Sequence, residues 1–351
     1  MNVELLKELT EAFGVPGQEG AIREIVRREL GGITTITEDA MGSLICHKPS
    51  TSGNGPKVML AAHMDEIGFV VRHISDKGFI RIHPLGGFDP RMLPAQRVVV
   101  SGFTGEVMHG TLMPGTKPKH LLTAAEAAKP LDLNDFFVDL GLSPDDVKAK
   151  VRVGDMVTLK REFQQTGNHF TCKAMDDRVA VFVMIEAVKA LASHECEIYA
   201  VATTQEEIGL RGATAAGSGL APDVCIAIDI TLANDIPGVP EDMAITHLGK
   251  GTAIKILDGS LICHPGIVAH FRKLAEDKGI PHQMELLPMG GTDAGGVQKQ
   301  HGGIPAFTLS IPTRYVHTVN ETVHPSDVQA SIDLLKAYLE DVHTAPYATK
   351  G

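Results

Sequence analysis

Several apolar runs in this chain end on groups that titrate and can ligate. In AAHMDEIGF, residues 61 to 69, the run from Val58 to Ala62 stops at His63, with Asp65 two residues on and Glu66 beside it. YAVATTQEEIG ends on Glu206 and Glu207, VCIAIDI carries Asp229, and AFTLSIPTRYVH leads to His317. KAMDDRVA sets Asp176 and Asp177 just before a helical pattern. Each signal has an ordinary explanation when taken singly. An H-x-D after an apolar run is commonly a surface turn, an acidic pair at a helix start is favoured by the helix dipole, and Asp176 and Asp177 could simply cap a helix. Taken together they point elsewhere, because open α/β sheets bind ligands beyond the carboxyl ends of their strands, where distant residues converge. Gathering Asp65, Asp176, Glu206, Glu207 and Asp229 in one crevice would raise their pKa values by mutual repulsion unless bound cations offset the charge. Two imidazoles with several carboxylates and no thiolate suit zinc, cobalt or manganese better than a calcium cage built of oxygens alone.

The elements that must position these groups follow from periodicity. Leu5, Leu6 and Leu9, then Ile22, Ile25, Val26 and Leu30, recur at helical spacing ahead of the apolar run at 58 to 62. Beyond about residue 70 the pattern becomes short and alternating, as in FIRIH, RVVVSGF and DMVTL, with glycine and proline turns between. From about 170 helices and apolar runs alternate again: helix 179–192, strand 197–204, strand 223–230, helix 266–278, strand 305–311 and helix 326–343. In the last of these, Ser326 with Gln329 reads as a capping box, and Val328, Ile332, Leu335, Leu339 and Val342 form one stripe. The fold class is therefore α/β, with a mostly parallel sheet covered by helices on both faces. The α/β domain is expected to be discontinuous, residues 1–69 and 166–351, interrupted by an inserted β domain at 70–165.

Composition sets the outer bounds. A chain of 351 residues with 43% hydrophobic content buries a substantial core, in one large or two medium domains. A formal charge of −11 without a basic cluster argues against nucleic acid and anionic membranes as partners. The five cysteines are scattered with no C-x-x-C pair, so neither a disulfide framework nor a thiolate zinc site is expected. No apolar stretch approaches the roughly 20 residues of a membrane helix, and MNVELLKELTEAFG reads as an amphipathic helix, so the cytosol is the expected location.

The motifs AAHMDEIGF, KAMDDRVA, TTQEEIGLRGA, AIDIT, GGTDAGG and IPTRYVH together resemble the co-catalytic metalloaminopeptidases of the glutamyl and deblocking aminopeptidase family. Members of that family often assemble as tetrahedral TET particles, and some carry an endoglucanase or cellulase label. The resemblance spans nearly the whole chain in order, including GGFDPRMLPAQRV and VGDMVTL in the middle. It implies an α/β catalytic domain interrupted by a small, barrel-like β domain used for assembly, and two divalent metal ions per chain. His63 and Asp229 should hold one ion, Glu207 and His317 the other, and Asp176 should bridge them. Asp65 should stand behind His63 and fix its tautomer. Glu206 should be the general base, while Asp177 is not carried over as a ligand; in related folds the peptide between two such acids can be cis. Thr292 and Asp293 of GGTDAGG, which lacks the G-K-[ST] of a phosphate loop, should shape the substrate pocket.

The activity implied is removal of N-terminal residues from peptides with a free amine, by a homo-oligomer between a dimer and a tetrahedral dodecamer. Another paired-metal amide hydrolase, a carboxypeptidase or N-deacetylase, is the alternative. Glycoside hydrolysis is less attractive, since its acid and base carboxylates would be tied up by metal. His324 lies close to His317 in sequence, but the RYVH match favours His317; the role of His120 in GTKPKHLL is not specified by the resemblance.

Overall fold

The strand Val224–Leu232 reads VCIAIDITL and is buried from Val224 to Thr231, the pattern of a strand covered on both faces. In the computed structural model, which describes residues 1–53, 55–345 and 347, it lies at the centre of an 11-stranded sheet. Its parallel neighbours are Lys57–His63 on one side and Ala306–Arg314 on the other, and Glu197–Thr203 pairs in parallel with the far side of Lys57–His63. Register aligns Thr203 with His63 and Asp229 with Ser310, so the carboxyl ends of all these strands reach one edge. The parallel character is confined to this centre and to one outlying pair. The outer strands Leu44–Lys48, Glu321–Val323 and His169–Cys172 join antiparallel, which makes the complete sheet mixed.

Helices cover the sheet. Met175–Ala190 is almost entirely buried, and its stretch from Val179 to Ile185 is continuously apolar, as in a helix enclosed by other elements. It packs on the strands that carry His63 and Asp229, and Val3–Glu11, Gly20–Leu30 and Pro325–Asp341 pack around it. A separate pair, Arg211–Leu220 and Asp293–Val297, packs together, the latter lying on the Asp229 strand. Aromatic stacking ties further elements: Phe271 of the helix Pro265–Lys278 lies 4.4 Å from Phe307 and 4.3 Å from Tyr338, measured between ring centroids. All five cysteines are buried with free thiols. Among the described residues no helix is long and apolar enough to cross a membrane.

The chain leaves this sheet after His63 and builds a closed six-stranded barrel whose strands lie between Gly68 and Leu159. Closure removes the exposed edges that short antiparallel strands otherwise present. Phe69, Ile82, Val98, Val100, Leu112 and Val138 fill its own core. At the junction Glu66 is buried and accepts from Lys173 Nζ at 2.8 Å and from the Gly14 backbone at 3.2 Å.

One local expectation fails. The last helix is Pro325–Asp341, and its N-cap is His324. Ser326 lies inside the first turn and donates its backbone N–H to His324 Nδ1 at 3.2 Å, so the Ser326–Gln329 capping box does not form. Pro325 has its fixed φ suited to the first helical position, which moves the start one residue earlier, and Gln329 bonds Asp333 instead at 3.0 Å.

Candidate metal centre

His63 is the last residue of its strand, and Asp229 lies three residues short of the end of the adjacent one. Glu206 and Glu207 follow the strand Glu197–Thr203 across a turn in which Gln205 takes a positive φ of 56°. His317, at φ 60°, follows the strand Ala306–Arg314. Asp176 and Asp177 open the buried central helix with non-helical backbone angles, and the peptide joining them is cis.

These groups meet in two sets. The ligand-type atoms of His63, Asp176, Asp177 and Asp229 all lie within 4.8 Å of one another, as do those of Asp176, Glu207 and His317. Asp176 belongs to both sets. Its Oδ1 is 3.1 Å from His63 Nε2 and its Oδ2 is 3.3 Å from His317 Nε2. Glu207 Oε1 lies 3.6 Å from His317 Nε2, and Glu206 Oε2 lies 3.8 Å from His63 Nε2. All of these side chains except Asp177 line a cavity of about 470 Å³.

The electrostatics record the crowding. Burial pushes the Glu206 and Asp229 carboxyls well above the usual carboxylate range; the positive His63 opposes this, and neighbouring acids add to it. Burial and the adjacent Asp176 carry Glu207 up to about 8. Asp176 goes the other way: burial would raise it, but hydrogen bonds from His317 and His63 hold it below the ordinary range. Burial opposes charge on His317, yet its bond to Asp176 and the nearby Glu207 raise it to about 10. Glu207 Oε1 and Asp177 Oδ1 are buried and accept no hydrogen bond. Orphaned, low-dielectric acceptors of this kind are costly unless a cation satisfies them.

Asp65 is placed behind His63, but it acts with two different groups. His63 Nδ1 is 3.0 Å from the Asp65 backbone carbonyl and 3.6 Å from its carboxylate. The carboxylate accepts instead from the backbone N–H groups of Glu206 at 3.0 Å and Glu207 at 3.1 Å. Asp177 is buried and accepts the His63 backbone N–H at 3.2 Å. Thr292 lines the cavity, whereas Asp293 is buried behind it and accepts from Thr203 Oγ1 at 2.5 Å. Burial lifts the Asp293 carboxyl to about 6.

Two supporting acids escape sequence inspection. Glu321 is buried and accepts from the backbone N–H of Asp176 at 2.9 Å and of His317 at 2.8 Å, holding one residue of each set. Glu19 accepts from Gln205 N at 3.3 Å and from the Thr204 hydroxyl, which fixes the turn before Glu206. In NETV and GVPGQEGA both look like solvated turn residues, and only their burial distinguishes them.

An α/β sheet with an acid–imidazole cluster at its carboxyl edge, and a closed barrel following the first site residue, is the arrangement that the family match then places. The chain belongs to the M42 glutamyl aminopeptidase family, whose model matches residues 42–334. It is thus an enzyme that hydrolyses peptide bonds, and membership implies divalent metal. It is 38% identical to an aminopeptidase from the archaeon Desulfurococcus kamchatkensis, with a TM-score of 0.93 over 99% of this chain and 97% of that one. A lysyl aminopeptidase of Pyrococcus furiosus is 36% identical, covering 97% of both chains. The TET1 peptidase of Pyrococcus horikoshii, which can assemble into a tetrahedron or a large octahedral shell, is 30% identical with a TM-score of 0.85 over 96% of this chain and 98% of that one.

Proposed function

We propose that the protein is an aminopeptidase that removes N-terminal residues from peptides with a free amine, using two divalent ions. His63 and Asp229 would hold one ion, Glu207 and His317 the other, and Asp176 would bridge them. The observation that carries this reading is the split of Asp176, one carboxylate oxygen directed at His63 and the other at His317. The residues fit such ions: nitrogen and oxygen donors without thiolate suit zinc, cobalt or manganese, and the buried Glu207 Oε1 accepts no hydrogen bond that a cation would have to displace.

When bound, the ions would lower the pKa of a water towards neutrality and polarise the scissile carbonyl. Glu206 stands beside both sets without belonging to either. Buried and 3.8 Å from His63 Nε2, its carboxylate would take the proton from the attacking water and return it to the leaving amine. Asp65 keeps Glu206 and Glu207 in place by accepting both backbone N–H groups. The free α-amine of the substrate would coordinate one of the ions or face the acidic rim, and that requirement would make the enzyme an exopeptidase.

Assembly into a homo-oligomer through the barrel belongs to the same proposal. The barrel exposes Phe103, Val107, Leu121 and Val153, apolar groups of the kind an interface covers. The decisive experiment is a panel of free-amine aminoacyl-nitroanilides and blocked counterparts, assayed after metal stripping and re-addition. Activity should return with about two ions per chain and only on free amines; faster turnover of the blocked substrates would assign the site to a deacylase instead.

A further inference from the structure

The cavity that holds the acid–imidazole cluster continues into a wall of different character. Leu210, Ile230, Leu232, Leu287, Met289 and Val316 line it, among the described residues no lysine or arginine does, and every acid in the lining belongs to the cluster. The polar side chains of this wall, Thr231 and Thr292, are already engaged. Thr231 Oγ1 donates to Glu285 at 2.6 Å, and Thr292 Oγ1 is 3.2 Å from Asp258 and 2.8 Å from Thr308 Oγ1. One step further in, the fully buried Lys255 is neutralised by Glu285 at 2.6 Å and Asp258 at 3.6 Å. The wall thus offers an entering side chain neither a free cation nor an unpaired acid of its own. Met289 remains 76% exposed and Leu232 38%, so apolar surface is left facing the cavity mouth.

We propose that this wall receives the side chain of the residue being removed, and that the enzyme prefers uncharged apolar N-terminal residues such as leucine and methionine over lysine and glutamate. The inference rests on the aminopeptidase function above, because it requires the substrate amine and carbonyl to reach both ligand sets and Glu206, all of which open on this cavity. The leaving chain has a separate route. A second cavity of about 740 Å³ shares only Val316 and His317 with the first and runs past Phe88, Met92 and Tyr315. A charged side chain seated against the wall would lose its hydration without gaining a counter-ion, whereas an apolar one buries further apolar surface.

The test compares kcat/KM of the cation-loaded enzyme for leucyl-, methionyl-, lysyl- and glutamyl-nitroanilide. The two apolar substrates should lead the charged ones by about tenfold or more, the usual discrimination of a hydrophobic pocket. Met289→Glu, at an exposed position, should raise the lysyl-to-leucyl ratio by about tenfold. Calorimetric titration of the Glu206→Gln variant, which reads binding without turnover, should show leucinamide held at least about tenfold tighter than lysinamide. Wild-type preference for lysine or glutamate leaves the aminopeptidase function standing and overturns the pocket assignment alone. An unchanged lysyl-to-leucyl ratio in both Met289→Glu and Leu232→Glu overturns it as well. Failure of the loaded enzyme to hydrolyse any free-amine substrate removes the aminopeptidase function and this inference together.

Discussion

Asp65 and Glu321 show how few residues hold the site in register. Glu321 carries the backbone of Asp176 and of His317 on its two oxygens, so Glu321→Gln replaces one acceptor with an N–H donor facing a donor. Metal affinity should fall by about 10–100-fold with the fold retained, as loss of a group supporting ligands typically does; unaltered affinity in a metal titration would remove Glu321 from that role. Glu206→Gln should keep its metal and lose about 10²–10⁴ in turnover, the usual contribution of a general base. Near-normal kcat with metal content verified would release Glu206 from proton transfer. The crowded acids also set a pH dependence. Glu207 binds its proton up to about 8 in the folded chain against an ordinary 4.5, so its contribution to stability is complete below about 4.5 and lost as pH rises through 8. His317, raised to about 10 from 6.5, acts with the same sign at higher pH. The metal-stripped protein should therefore lose thermal stability from pH 5 to pH 8.5, and added zinc should flatten the decline; a melting temperature that rises over that range would contradict it. Asp176, shifted downward, acts only in more acidic solution.

At the scale of elements, barrel and sheet meet at Gly86, which follows the barrel strand Ile80–Leu85 with φ +91°. A Cβ there would approach Ile67 Cγ2 to 2.5 Å and Glu207 Oε2 to 3.1 Å. Gly86→Ala should cost about 1–3 kcal/mol of stability and weaken metal binding at the Glu207 set; denaturant unfolding and metal titration read the two effects separately. The central strands were legible because burial on both faces writes a continuous apolar run. Edge strands were not. Thr35–Glu38 is mostly exposed and carries no such run, and Gln164–Thr166 is exposed throughout. The start of the last helix misled for a related reason: Ser326 and Gln329 have the right spacing, but Pro325 and the His324 imidazole supply a competing start that residue types alone do not rank.

At the scale of the molecule, the inserted barrel leaves the catalytic sheet complete and adds a compact unit with its own core. Its exposed apolar side chains lead to the expectation that sedimentation at micromolar concentration gives a discrete multiple of the protomer mass. Charged substitutions such as Val107→Glu or Leu121→Glu should lower that multiple while each protomer stays folded. A monomer in the unsubstituted protein would detach the barrel from assembly.

Residue type and periodicity by themselves determined the α/β class, the central strands, and the placing of His63, Asp176, Glu206, Glu207, Asp229 and His317 at strand or helix ends. These are local properties, since burial and repeat are recorded along the chain. Tertiary structure alone decided which atoms meet: the split of the Asp176 carboxylate, the use of Asp65 on two backbone amides, and the contacts of Glu321 with residue 176 and of His63 with Asp176, 145 and 113 residues apart. Register between parallel strands and the path of their crossovers set those meetings, and neither leaves a periodic trace in the order of residues.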